Sequence, residues 1–177
     1  MDNYSVLVWL LPIVFMIHDF EEIIFFKPWV NRNKDYLTEK FPELSKRILF
    51  RFEGLSTSAF ALAVAEEFIL LSLITAGSVL SGHYILWLAV FMGFFVHLWT
   101  HLGQWIMLKR YIPAIGTTFI SLAYGIGTLY VIIANDIYRV PEIAAWTVAG
   151  TVLVGVNLFF AHKLAGIFDR WIKKMEK

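Results

Sequence analysis

The stretch VFMIHDFEEIIFF, residues 14–26, places one histidine and three acids in the middle of an otherwise apolar run. A charged side chain at the centre of a bilayer costs about 2.5–3.5 kcal/mol, even on scales measured by membrane insertion. This run therefore needs partners that offset the charges of Asp19, Glu21 and Glu22. Those partners have to come from the rest of the chain.

The composition is typical of a membrane protein with several spans. Of 177 residues, 59% are hydrophobic and 16% are charged, whereas about a quarter of the residues are charged in soluble domains. The apolar residues fall in blocks of helical-span length. The chain has no Cys, which excludes disulfides, thiolate metal sites and cysteine nucleophiles. The first apolar segment lacks a basic region before it and a cleavage site after it, so we expect it to be retained.

Hydropathy predicts an all-α fold in one domain, residues 1–177: a polytopic membrane helix bundle with five transmembrane helices. The predicted spans are residues 4–26, 55–79, 83–108, 113–134 and 143–168. Each span has roughly the 20 residues that cross a 30 Å hydrocarbon core. Pro28 is predicted to end the first helix, because the residue before a proline avoids the helical conformation.

The long polar segment between the first two spans, residues 27–54, has an amphipathic pattern. Its apolar residues recur at helical spacing with charges between them, at Leu37, Phe41, Leu44, Ile48 and Phe52. This pattern predicts an interfacial helix on the cytoplasmic membrane surface.

Polar residues of four predicted spans fall at one depth, in the cytoplasmic half of the bilayer. They are His18, Glu21 and Glu22 in the first span, Glu66 and Glu67 in the second, His97, His101 and Gln104 in the third, and Asn157 and His162 in the fifth. His18 and Glu22 are four residues apart and share a helix face, as do His97 and His101. Glu66 and Glu67 are adjacent, so we expect only one of them to point fully inward.

The four glutamates of the first two spans have no Lys or Arg in those spans to pair with. Left ionised and unpaired, they would cost on the order of 10 kcal/mol. Two divalent cations would neutralise them and recruit the histidines as neutral ligands, while protonation or a water-filled cavity are alternatives. The predicted metal ligands are His18, Glu22, Glu66, Glu67, His97, His101 and His162. Gln104, Asn157 and Tyr124 are predicted to lie beside these ligands.

Four short motifs resemble the HxxEE-domain family of small bacterial membrane proteins. They are HDFEE in the first span, AVAEE in the second, the histidines of the third, and RYIPAIGT before the fourth. The resemblance covers nearly the whole chain. The family pattern falls on His18, Glu21 and Glu22, and also on Glu66 and Glu67. Ala114 stands where a glycine is expected after the proline, and the resemblance implies no particular reaction.

The predicted function is that of a membrane metalloenzyme acting on a lipidic or otherwise apolar substrate. Nitrogen and oxygen ligands without sulfur suit iron, zinc or manganese, and paired glutamates that can bridge favour two iron ions and an oxidation. Glu21 and Glu67 are the predicted catalytic residues. The predicted partners are the lipid bilayer and an apolar small molecule, with no nucleic acid.

Three alternatives to this function remain open at the level of sequence. One is a zinc-dependent intramembrane hydrolase, in which metal-bound water attacks the substrate. Another is a proton-coupled transporter that uses the acids and histidines as a relay. The last is a structural, cofactor-binding or sensor protein.

The distribution of basic residues predicts the orientation of the chain in the cell membrane. Of the 15 Lys and Arg residues, only Arg139 falls on the side opposite the others. By the positive-inside rule the N-terminus is external and the C-terminus cytoplasmic. A reporter fused after Lys177 should therefore be cytoplasmic, and one fused before Met1 external. A periplasmic signal from the C-terminal fusion would overturn this orientation and the shared depth of the polar residues.

Overall fold

The computed structural model describes residues 3–46 and 54–175, and every regular element in these residues is an α-helix. The five long helices are α1 (Asn3–Lys40), α2 (Thr57–Ser81), α3 (Ile85–Leu108), α4 (Ile115–Ala134) and α5 (Val140–Met175). Residues 42–46 are also helical. The predicted all-α fold is thereby confirmed.

Four helices of the described chain, α2 to α5, are long and apolar enough to cross a membrane. The prediction of five such spans is therefore wrong by one. The exception is α1, the least apolar of the five. Its 38 residues include both the acids at positions 19–22 and a charged extension after Phe26.

Helix α1 continues through Pro28 to Lys40, although it was predicted to end at Phe26. A proline inside a helix costs about 3 kcal/mol or more, because it removes a hydrogen bond and crowds the preceding turn. Contacts of the extension offset this cost. The indole Nε1 of Trp29 donates to the carbonyl of Tyr111 at 2.6 Å, and the hydroxyl of Tyr36 donates to the carbonyl of Leu108 at 3.0 Å.

The amphipathic stripe predicted for residues 27–54 buries its apolar side against the end of the bundle. Leu37 is fully buried, and it packs with Phe41 and Leu44 against residues of the α3–α4 connection, such as Ile112. The first half of the predicted interfacial helix is thus the end of α1. Ile48 and Phe52 lie outside the described residues.

Four helices form a ring, in the order α1, α2, α5 and α3, and α4 packs outside it. Helices α1 and α3 contact each other sparingly, and α4 bridges them by packing on both. The indole of Trp87 on α3 stacks on Phe91 at 5.1 Å and donates to the carbonyl of Val8 on α1. This arrangement leaves a central cavity that α1, α2, α3 and α5 enclose.

The first turn of α2 is held by the end of α5. Asp169 accepts a hydrogen bond from the backbone N–H of Ser56 at 2.9 Å. It also forms an ion pair with the ammonium group of Lys173 at 2.5 Å. Burial alone would raise the pKa of Asp169, but these hydrogen bonds and the nearby ammonium lower it to about 2. Below this contact, alanines such as Ala63 and Ala161 bring the two helices close together.

Helices α3 and α5 approach each other through glycines. A Cβ atom added at Gly93 would lie 2.7 Å from the carbonyl oxygen of Gly150, and one added at Gly150 would overlap the carbonyl of Ala89. Small residues at such crossings allow the two backbones to meet directly. The contact fixes how far α3 stands from α5, and so fixes one wall of the cavity.

The first structural prediction concerns this crossing. Gly150→Ala should lower the stability of the bundle by about 1–3 kcal/mol or more, because the added methyl forces the backbones apart. The measurement is the thermal unfolding midpoint of purified protein in a mild detergent.

Gly155→Ala on the same helix is the matched control. No atom lies within 4 Å of a Cβ built at Gly155. Its substitution should leave stability unchanged or raise it by up to about 1 kcal/mol, since alanine is the better helix former. Equal destabilisation by both variants would contradict the close crossing.

Candidate metal centre

Four side chains from α1 and α3 converge on one point beside the cavity, and three of them, Glu22, His97 and His101, belong to its wall. One donor atom from each of His18, Glu22, His97 and His101 lies within 4.8 Å of the others. Each helix contributes a pair at positions i and i+4, which share one face one turn apart. The sequence thus places each pair on one face of its helix. The two faces meet because α1 and α3 are neighbours in the ring.

The imidazoles are in close mutual contact. The Nε2 atoms of His97 and His101 are 2.8 Å apart, and His101 Nε2 lies 3.2 Å from Oε1 of Glu22. The ring centroid of His18 is 5.0 Å from that of His101 and 5.7 Å from that of His97. Neighbouring ligands of a metal with bonds of about 2.0–2.1 Å lie on the order of 3 Å apart. Two of the donor distances, 2.8 and 3.2 Å, are of this size, and the four donors together lie within 4.8 Å of one another.

Two nitrogen atoms of the cluster are buried without a partner. Nε2 of His18 and Nδ1 of His101 form no hydrogen bond with any described residue, and the two residues are 0% and 5% exposed. A buried polar atom left unsatisfied costs about 1–3 kcal/mol. A neutral imidazole with one nitrogen unprotonated offers a lone pair to a cation. Three imidazole nitrogens and one carboxylate oxygen suit iron, zinc or manganese.

Two more acids lie beside the cluster. Asp19 and Glu67 both line the cavity with Glu22 and interact with it electrostatically. Asp19 is 6% exposed, and its Oδ2 atom has no hydrogen-bond partner among the described residues. The cavity wall, as the described residues form it, contains no Lys or Arg. No ammonium or guanidinium group in that wall therefore balances the charges of the three carboxylates.

Asp19 is a cavity residue that the sequence reasoning left out of the candidate site. Its neighbour His18 was placed on the inward face, and a residue one position along a helix is rotated by about 100°. Its spacing of three from Glu22 is the signal that could have found it, since residues at i and i+3 border the same face.

Glu21 points away from the cluster and holds the start of α4. Its carboxylate accepts hydrogen bonds from the Tyr111 hydroxyl at 2.8 Å, from the Thr117 backbone N–H and hydroxyl at 2.7 Å each, and from the Gly116 N–H at 3.3 Å. The first N–H groups of a helix have no intrahelical partner, and a negative charge there is favourable. Glu21 was predicted to be catalytic. In the structure its carboxylate caps the N-terminus of α4. Burial and the bond to Glu21 raise the pKa of Tyr111.

The N-terminus of α4 has to be capped by a residue of another helix, because the side chain of its own N-cap residue forms no capping hydrogen bond. Ala114 occupies the N-cap position with φ +68° and has no side-chain group that can accept a hydrogen bond. This left-handed conformation costs an alanine more than a glycine. The same region reaches the cluster: the Thr117 hydroxyl lies 3.5 Å from Nδ1 of His18. Thr117, which the sequence reasoning missed, thereby links the Glu21 cap to a ligand candidate.

The remaining predicted residues occupy three different positions. Glu66 accepts a hydrogen bond from Asn157 at 3.1 Å, which ties α2 to α5. His162 and Gln104 line the cavity, and Nδ1 of His162 lies 2.7 Å from the carbonyl of Leu158. Tyr124 donates to the carbonyl of Leu7 at 2.8 Å and is absent from the cavity wall that the described residues form.

The second structural prediction tests the role of Glu21. Glu21→Gln should destabilise the fold by about 1–3 kcal/mol, because a charged acceptor shared by four donors is replaced with a neutral amide. The measurement is the unfolding midpoint in detergent. Glu39→Gln is the control, since Glu39 forms only an exposed ion pair with Lys40 and such pairs are worth about 0–1 kcal/mol. Equal midpoints for both variants would contradict the capping role.

Comparison with known proteins places the chain in a family. A family model described as "Protein of unknown function with HXXEE motif" matches residues 9–128. That segment includes all four residues of the cluster as well as Glu21 and Thr117. No curated protein and no solved structure matches the chain. Since the match covers more than half of the 177 residues, the chain belongs to the HXXEE family.

Proposed function

We propose that this protein is an integral membrane metalloenzyme that acts on a lipidic or otherwise apolar substrate in its central cavity. Its ion is held by His18, Glu22, His97 and His101. The observation that carries the proposal is Nε2 of His18, a fully buried nitrogen with no hydrogen-bond partner among the described residues, in a group of four converging donors.

Placement in the membrane is supported by the surface of the helices. Large apolar side chains stand exposed along α2, α4 and α5, including Leu73 at 64%, Tyr130 at 72% and Val148 at 67%. Contiguous apolar surface of this extent is unfavourable in water and favourable in a hydrocarbon core. The proposed location is the cell membrane, with the N-terminus outside and the C-terminus in the cytoplasm, as the basic residues predict. This orientation requires that α1 crosses together with the four more apolar helices. Its packing supports a crossing, since Tyr4 contacts Tyr84 before the start of α3 and Trp29 bonds to Tyr111 beyond its end.

The proposed site holds one ion. The two ions predicted from the sequence would need bridging carboxylates, and two of the four glutamates are engaged elsewhere, Glu21 at the α4 start and Glu66 with Asn157. A second ion would have to draw its ligands from Glu67, Asp19 and His162, the other ionisable groups of the cavity wall. Iron remains the favoured metal, with zinc or manganese as alternatives that the same donors suit.

Within this site Glu67 has the position of a proton acceptor. It lines the same cavity as three residues of the cluster, and it interacts electrostatically with Glu22. A carboxylate beside a metal can take the proton of a water or substrate group while the ion stabilises the developing negative charge. The identity of the ion then selects the reaction class. Iron supports oxidation by dioxygen with an external electron donor, and zinc supports hydrolysis by water.

A proton-coupled carrier is the second candidate function. It is favoured by one observation: Nε2 of His101 lies 2.8 Å from Nε2 of His97 and 3.2 Å from Oε1 of Glu22, so it can exchange a proton with either, and Asp19 and Glu67 lie close by. Such a chain of titratable groups can pass a proton through a bundle. It needs no metal, so metal content separates the two functions.

The prediction for this function is a metal content that depends on the cluster. Protein purified without chelator and assayed by elemental mass spectrometry should hold about one ion per chain, the number that four converging donors suit. His97→Ala and His101→Ala should each lose it, since removing even an outer partner of a ligand costs about 10–100-fold in affinity. Glu67→Gln should retain the ion.

His83→Ala is the matched control for the histidine variants. His83 lies exposed in the α2–α3 connection, where its Nδ1 contacts the carbonyl of Ser81 at 2.9 Å. It should keep the metal content of the unaltered protein. Folded protein that takes up no iron, zinc or manganese when these ions are supplied would reject the metalloenzyme and leave the proton-relay carrier.

A further inference from the structure

The cavity beside the cluster is long. On α3 its wall follows the whole helix at spacings of three and four residues, through Leu86, Val90, Phe94, His97, His101, Gln104 and Leu108. From Leu86 to Leu108 this is about 33 Å at 1.5 Å per residue. The cavity volume is about 460 Å³.

The polar groups occupy the middle of this length, and one end is apolar. We call the apolar wing the part of the cavity wall near the α2–α3 connection, formed by Leu70, Leu71, Ile74, Leu86, Val90 and Leu153. Along α3 it extends about 16 Å from His97 to Leu86. Carbon–carbon bonds of about 1.5 Å advance an extended chain by roughly 1.3 Å each, so the wing has room for about twelve carbons.

The apolar wing reaches the surface of the bundle through leucines, which we call the leucine mouth. Three wing residues from three helices are partly exposed: Leu70 at 40%, Leu86 at 48% and Leu153 at 46%. The surface around them is also apolar, for example Leu73 and Val152, which are 64% and 60% exposed. A ligand that enters here passes only hydrocarbon groups, which suits a molecule arriving from the bilayer rather than from water.

We infer that the substrate of this site is a hydrocarbon chain of a bilayer amphiphile, which enters through the leucine mouth and lies along the apolar wing with its reacting group at the cluster. The inference rests on the proposed function and adds the chemical class and the entry route of the substrate. The length of the wing sets a preference for long chains over short ones.

Photolabelling in lipid nanodiscs tests this inference. Two palmitic acid probes would be used, one with a diazirine at the methyl end and one with a diazirine near the carboxyl group. After illumination, peptide mapping should place the methyl-end label within residues 86–94 and the carboxyl-end label within residues 97–104. Unlabelled palmitic acid should compete with both probes, and hexanoic acid should not.

A blocked wing gives an independent readout. Val90→Trp should reduce methyl-end labelling of residues 86–94 by at least about fivefold, because a bulky side chain fills the channel. Val148→Trp is the matched control, since Val148 on the same helix as Leu153 is 67% exposed and lies outside the cavity wall. It should leave the labelling unchanged. Even if Val90→Trp fails to fold, the label positions in the unaltered protein decide the question.

The outcomes separate this inference from the metal proposal. Label found only on outward residues such as Ile106, which is 63% exposed, in protein that holds its ion would overturn the hydrocarbon-chain substrate and leave the metalloenzyme standing. The expected label pattern in protein that holds no ion would support the hydrocarbon-chain site and reject the metal proposal.

Discussion

The neutralisation of Glu22, Asp19 and Glu67 is the constraint on which the rest of the structure depends. These three carboxylates face one cavity, and no Lys or Arg belongs to the wall that the described residues give it. Removing a charge from water costs several kcal/mol unless a partner of opposite charge compensates it. Three histidines stand beside the acids, and neutral imidazoles compensate charge only by holding a cation or a proton. The ring of helices and the glycine crossing of α3 and α5 hold the three acids and the three histidines close together.

The HXXEE motif divides its residues between the site and the fold. His18 and Glu22, four residues apart, belong to the cluster, and Glu21 turns to the α4 start, where four donors reach its carboxylate. Because adjacent residues on a helix diverge by about 100°, two consecutive glutamates can serve two neighbours at once. Thr117 joins these roles, since its hydroxyl contacts both Glu21 and Nδ1 of His18. The motif thus couples the geometry of the candidate site to the packing of α4.

The parts of this structure that follow from helical periodicity were predictable from the sequence. The pairs on α1 and α3 share faces by spacing alone, and the polar residues shared one depth, so the convergence of the four donors could be anticipated. The continuation of α1 through Pro28 could not, because it depends on contacts that Trp29 and Tyr36 make with residues about 70 to 80 positions away. The role of Glu21 was hidden for the same reason. The orientation of a side chain such as that of Glu21 depends on backbone N–H groups far away in the sequence that lack a hydrogen-bond partner in their own helix.

The proposed metal site is tested most sharply by X-ray absorption at the edge of the metal with which the purified protein is loaded. The expected ligands are nitrogen and oxygen at about 2.0–2.1 Å, with no sulfur. We also expect the multiple-scattering signature of about three imidazoles, the histidines of the cluster. A folded protein whose metal shows only oxygen neighbours and no imidazole scattering would contradict the proposed site, because the ion would then lie away from His18, His97 and His101.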